Sequence, residues 1–280
     1  MSRVKWNDNK LLFRLKNNKT DRTYWDNITE LRKRASNELF SKCVKLTKSK
    51  IEKERMIGID MLAQLSSKGN IRPFSKKVIE IYLDLLKKEK TPLNLMSILY
   101  GIGHNNENIT TDEQVNLIAS FQNHNEDCVR EGVTSALSGL ESKMAIETLI
   151  SLCEDKRSYI RDWATFGIGN LLDIDNDNIR KCLWKRVNDK HQDTKLEAIL
   201  GLAKRKDKAI KTFIVRELLD GEFGTLLFEA IEELNDKSLV PILEEQLQKS
   251  EKNKNINPEW IKDLRDCLDK LKNGSVKLLK

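Results

Sequence analysis

The sequence predicts an all-α protein assembled from repeated helix pairs, on three observations. Glycine and proline are scarce, 12 and 4 copies in 280 residues, while charged residues reach 33%, a composition that favours helices and gives no signal for a sheet. Similar twelve-residue blocks recur along the chain, 29 to 40 residues apart. Their apolar and small positions keep a helical phase throughout, and a period near 34 is the mark of stacked helix pairs.

From the amino end, residues 1–22 carry Asn7, Asn9, Asn17 and Asn18 and read as a weakly ordered or capping segment. Residues 23–46, TYWDNITELRKRASNELFSKCVKL, form one long amphipathic stretch that predicts the first helix of the array. Trp25, Ile28, Leu31, Ala35, Leu39, Phe40 and Cys43 follow one face, and Arg32, Lys33 and Arg34 mark the other.

The blocks follow. ERMIGIDMLAQL (Glu54 to Leu65) has Arg55 in an arginine column and Met61 in a column that is small elsewhere. NLMSILYGIGHN (Asn94 to Asn105) is looser, with Leu95 and Gly101 in those columns. VREGVTSALSGL starts at Val129 and IRDWATFGIGNL at Ile160, with Arg130 and Arg161 in the arginine column. TKLEAILGLAKR starts at Thr194 and FGTLLFEAIEEL at Phe223. The small positions of these last four are Ala136, Gly167, Gly201 and Ala230.

Each block is the second helix of its pair. MAIETLISL (Met144 to Leu152) and IRKCLWKRV (Ile179 to Val187) supply first helices, joined to the blocks by polar turns. An arginine at the start of a second helix can cover the joint with its stem while its charge meets the acidic turn before it, Glu126–Asp127 or Glu154–Asp155. Thr111 with Gln114 predicts a capping box. Ser238 precedes a helix whose first turn tolerates Pro241, and Asn257–Pro258 opens another. The solenoid thus spans 23–250, with a loop and a charged capping helix over 251–280.

At these residues the chain resembles HEAT repeats, in particular the short bacterial type first noted in phycobilisome lyases. The resemblance covers roughly residues 50 to 240 and is strongest in VREGVTSAL and in the run from Asp155 through IRDWATFG to Gly167. It implies a right-handed α–α superhelix of about six to seven helix pairs whose second helices line a concave surface. It implies scaffolding or protein-partner binding rather than chemistry, and a lyase activity is not carried over. Leu95 and Gly224 depart from the arginine column, which leaves the register of those two copies open.

On this frame a second helix turns Trp163, Phe166 and Asn170 to the concave side. The preceding copies place Gly132, Ser135 and Gly139, then Ser97, Tyr100 and His104, in the same column, and the following copy Glu197, Leu200 and Lys204. Bare residues between Tyr100–His104 and Trp163–Phe166 would make a shallow groove for an apolar or aromatic group of a partner. The bland alternative is that Trp163 leans over Gly132 and fills its missing side chain.

Two further function classes need weighing. Some HEAT-like proteins are DNA glycosylases that use an aspartate flanked by tryptophan and arginine, and Asp162, Trp163, Trp184 and Arg186 supply those residue types. Asp60, Glu197, Glu229 and Glu233 in the concave column would repel a phosphate backbone. Nucleic-acid association could instead use residues 1–55, which hold 16 Lys or Arg against 7 Asp or Glu, whereas the rest holds 34 against 36. There Arg32, Lys33 and Arg34 would contact phosphate or an acidic partner.

Three scattered histidines and five scattered cysteines form no metal-ligand or disulfide spacing, so no metal, no cofactor and a reducing compartment are expected. The start lacks the apolar core of a secretory signal and no run approaches membrane-spanning length, which predicts a cytoplasmic protein without membrane contact.

Overall fold

The computed structural model describes residues 3–220 and 224–273, so Phe223 at the head of the sixth block and the end of the 251–280 segment lie outside the described residues. All regular structure among the described residues is helical, with no strand. The chain divides into two compact units, Met1–Leu152 and Cys153–Lys280.

The first unit contains α1 (Asp8–Lys16), α2 (Asp21–Arg32), α3 (Asn37–Leu46), α4 (Glu52–Ala63), α5 (Ser75–Leu86), α6 (Pro92–Gly103), α7 (Asp112–Ala119), α8 (Asp127–Leu137) and α9 (Lys143–Leu152). Consecutive helices pair as α1/α2, α3/α4, α5/α6 and α7/α8. The second members stack side by side, α4 on α6 on α8, while α5, α7 and α9 form the companion row. The second unit contains α10 (Ser158–Asn170), α11 (Asp177–Arg186), α12 (Gln192–Lys204), α13 (Lys211–Asp220), α14 (Thr225–Leu234), α15 (Val240–Lys252) and α16 (Pro258–Asn273). There α10, α12 and α14 stack in sequence, α13 lies on α15, and α16 packs on both α14 and α15. Each unit is therefore a solenoid-like row of helix pairs, and the six repeated blocks lie over the stacked helices α4, α6 and α8 of the first unit and α10, α12 and α14 of the second.

Local sequence explains the boundaries. Asn7, Thr20, Ser36 and Asn176 each accept a backbone N–H at the head of a helix, which satisfies a group that has no intrahelical partner. Thr111 and Gln114 form the reciprocal capping box that their spacing predicts. Pro258 opens α16 as expected. Ser238 is not the cap of α15: it lies inside a 3-10 turn, Lys237–Leu239, capped by Asp236.

The amino-terminal reading requires correction. Residues 23–46 are two helices rather than one, because the chain breaks at 33–36 and Ser36 restarts it by capping α3. Ser66 N–H donates to Arg32 O (2.6 Å) and Ala35 N–H to Ser66 O (2.9 Å), so tertiary hydrogen bonds hold the break open. Within the 1–22 segment, α1 is a short amphipathic helix that buries Leu11, Leu12 and Leu15.

Candidate functional site

Arginines of the repeat share one geometry. Arg55 donates to the carbonyls of Ser49 and Lys50, Arg130 to those of His124 and Asn125, and Arg161 to those of Asp155 and Lys156. Each guanidinium thus straps the turn before its own helix through carbonyl oxygens. Arg55 then reaches forward to Glu89 (2.7 Å) and Arg161 to Asp189 (2.8 Å), carboxylates in the turn one repeat later. Lys195, in the same column, meets Glu217 at 2.5 Å. These acidic side chains are almost fully covered, at 6%, 4% and 2% exposure. Glu89 also accepts the backbone N–H groups of Lys90 and Thr91, and with Arg55 they hold its pKa down to about 2 against the cost of burial. At Arg55 and Arg161 one guanidinium therefore ties the turn before its helix to the turn one repeat later.

The foreseen groove divides between the two units. In the first, Gly132 is buried: a Cβ there would lie 2.8 Å from Leu99 Cβ. It serves the close approach of α8 to α6 and offers no groove floor. Ser135 meets Gly103 in the same contact, where a Cβ on Gly103 would fall 2.6 Å from the Ser135 carbonyl oxygen. Gly139 is off the helix, in the turn beyond α8 at φ +80°. The expected patch of small residues is therefore a helix–helix contact followed by a turn. Tyr100 hydroxyl donates to Glu131 (2.7 Å), and His104 pairs with Gln64 (2.6 Å).

Aromatic and acidic groups do meet in the second unit. Trp163 is 46% exposed and stands edge-on to Phe166, with ring centroids 5.9 Å apart. Asn170 turns sideways to α12, where its side-chain NH2 donates to the Glu197 carboxylate and backbone carbonyl, and its backbone carbonyl accepts from Lys204 at 3.1 Å. Burial, with Asp162 and Glu229 adding like charge, pushes the Glu197 carboxyl up to about 7. Burial also raises Asp162, whose Oδ1 has no hydrogen-bond partner.

Asp162, His191 and Asp193 each bring a donor atom within 4.8 Å of the others, a set of one nitrogen and two oxygens able to hold a divalent cation. His191 Nδ1 is already used to cap α12 through Thr194. Composition and motif spacing missed this trio. The available signal was the period itself, since His191 and Asp193 follow Asp162 by 29 and 31 residues, one repeat length.

Other expected combinations do not assemble. Trp184 donates to Asp207 (3.0 Å) and packs on Phe213, while Arg186 pairs with Asp189 and Glu154 (both 3.2 Å). Both are thereby committed to the α11 side of the unit. In the basic segment, Arg34 is held by Glu30, Asp8 and the Trp6 carbonyl, and Arg32 turns inward to the Asp60 carbonyl and Gln64. Of the three, only Lys33 is exposed, and the two arginines are half-buried. The outward basic face read at Arg32, Lys33 and Arg34 is thus reduced largely to Lys33. No described helix is long and apolar enough to cross a membrane.

No family model matches the chain. Protein YibA of Escherichia coli K12 is 35% identical over 144 residues, which are 51% of this chain and 48% of YibA; the same figures hold for YibA of E. coli O157:H7. The chain thus spans about half the length of the curated relatives it matches. The X-ray structure of E. coli YibA superposes with a TM-score of 0.72 at 25% identity, covering 96% of this chain and 94% of that one. These likenesses support homology to YibA and an all-α, helix-pair architecture.

Proposed function

We propose that the chain is a right-handed HEAT-type scaffold, without catalytic activity of its own, that binds a protein partner through the face formed by α10, α12 and α14. The observation that carries this reading is the exposed Trp163 ring, set edge-on against the half-buried Phe166, next to carboxylates that are costly to ionise. An exposed tryptophan in contact with a second ring supplies an anchor of the kind that dominates interface energetics. Asp162 and Asp193 lie together on this face, and Asp162, Glu197 and Glu229 act on one another as like charges, so a partner that presents an apolar or aromatic residue next to lysine or arginine would relieve the cost of ionising them. The same charge disfavours a nucleic-acid backbone at this face.

The test is photo-crosslinking from position 193, exposed beside Asp162, in the source cells, followed by recovery with wild type and with Trp163→Ala/Phe166→Ala. One specific partner should be captured, and the double variant should lose at least tenfold in affinity, about 1.4 kcal/mol, with its melting temperature nearly unchanged. Equal binding by the double variant removes this face from the proposal.

A further inference from the structure

A second site lies in the first unit. A cavity of about 480 Å³ opens between the end of α2, the end of α4 and the loop after it, lined by Arg32, Lys33, Gln64, Ser66, Asn70 and Arg72, with Thr29 at its edge. Among the described residues, three cationic and four neutral polar side chains line it, and no carboxylate does. We propose that this cavity binds the phosphate group of a small soluble phosphate monoester.

Its walls are fixed before any ligand arrives. The paired backbone hydrogen bonds between Arg32, Ala35 and Ser66 lock the end of α2 to the segment after α4. Residues 67–71 then fold back, Ser67 N–H donating to Ile71 O at 2.8 Å, with Gly69 and Asn70 both left-handed at φ +81° and +58°. A non-glycine residue held at positive φ beside a polar cavity is strain of the sort functional loops retain.

Charge is arranged to match. Arg32 donates Nε and one terminal nitrogen to the Asp60 carbonyl and the other to Gln64 Oε1 at 2.9 Å, so its direct partners are neutral acceptors. The Asp60 carboxyl accepts from the Tyr24 hydroxyl at 2.6 Å, and its charge acts on Arg32 through space. Arg72 has one acidic neighbour, Glu107, at 3.7 Å. The end of α2 would disfavour an anion, but its Leu31 and Arg32 carbonyls already accept from Lys33, Arg34 and Ser66. Two guanidiniums and an ammonium around one cavity suit a tetrahedral dianion. The same two arginines act on His104: burial first, then Arg32 and Arg72, hold its pKa below the ordinary imidazole value.

The experiment titrates the full chain at low ionic strength with inorganic phosphate, phenyl phosphate and a single-stranded oligouridylate, following heat of binding and the His104 ring resonances. Saturable binding of both small probes is expected, with the His104 pKa rising as bound anion offsets the arginines. Lys33→Gln and Arg72→Gln are each expected to weaken binding about tenfold at unchanged melting temperature, and either variant suffices if the other fails to fold. Absence of saturable binding by the small probes overturns the proposal. So does binding that both variants retain, or an oligouridylate that alone binds.

Discussion

Glu197 sits where burial, Asp162 and Glu229 all oppose its charge, and Asn170 offsets only part of that cost. Its folded pKa of about 7 stands above the ordinary value, 4.5, so the folded chain holds a proton that the unfolded chain releases. Stability from this group is complete below pH 4.5 and declines as pH rises through 7. Glu197→Gln removes the charge and leaves an acceptor for Asn170. Urea unfolding should show the variant more stable by about 1–2 kcal/mol at pH 8, after allowance for solvent screening, and equal to wild type near pH 4.5. His104 works in the opposite sense. Gln64 accepts from Arg32 with its oxygen, so its nitrogen donates to His104 Nε2, which must be unprotonated. The depressed pKa means this contribution is full above 6.5 and lost as pH falls through the folded value. Relative to His104→Gln, wild type should therefore lose melting temperature as pH falls below 6.5, and an equal pH profile for both would refute the chain of bonds.

Helix stacking depends on a few close approaches. At Gly201 a Cβ would lie 2.9 Å from Gly169 Cα and 3.1 Å from Leu183, so α10 and α12 meet almost backbone to backbone. In a free helix Gly→Ala gains about 1 kcal/mol. Here Gly201→Ala should instead destabilise by about 1–3 kcal/mol, because the row must part, and chemical denaturation would read the sign. These elements were legible in the sequence because small residues at a regular interval are what stacked second helices require. The arginine column was legible for a related reason, since one long cation per repeat suits a turn that needs strapping. The break at 33–36 was not legible: no glycine or proline marks it, and it is held by hydrogen bonds to Ser66, far away in sequence. The groove floor was misread for a geometric reason. A second helix has a flank toward each neighbouring repeat as well as a free face, and a periodicity of 3.6 residues separates buried from exposed poorly when three sides are covered. Gly132 lies on the flank toward α6, and Asn170 on the flank toward α12.

In a repeat array each unit of structure is stabilised by its neighbours, so the effect of removing one element decays along the row. The helix α16 tests this in the second unit. It buries Leu264, Cys267, Leu268 and Leu271 and contacts both α14 and α15, while Lys270 pairs with Glu232 of α14 at 3.0 Å. Deleting residues 254–280 would bare the apolar faces beneath it, including Phe228, which now packs on Trp260 with ring centroids 5.5 Å apart. Four buried apolar side chains represent several kcal/mol of transfer free energy, on the order of the whole stability of a domain. Hydrogen exchange on the truncated chain should show α14 and α15 losing most of their protection, α12 losing less, and α10 retaining nearly all of it. That gradient is what nearest-neighbour coupling requires. Uniform loss across α10, α12, α14 and α15 would mean that the second unit instead unfolds as one cooperative core, and the additive picture of its helix pairs would fail.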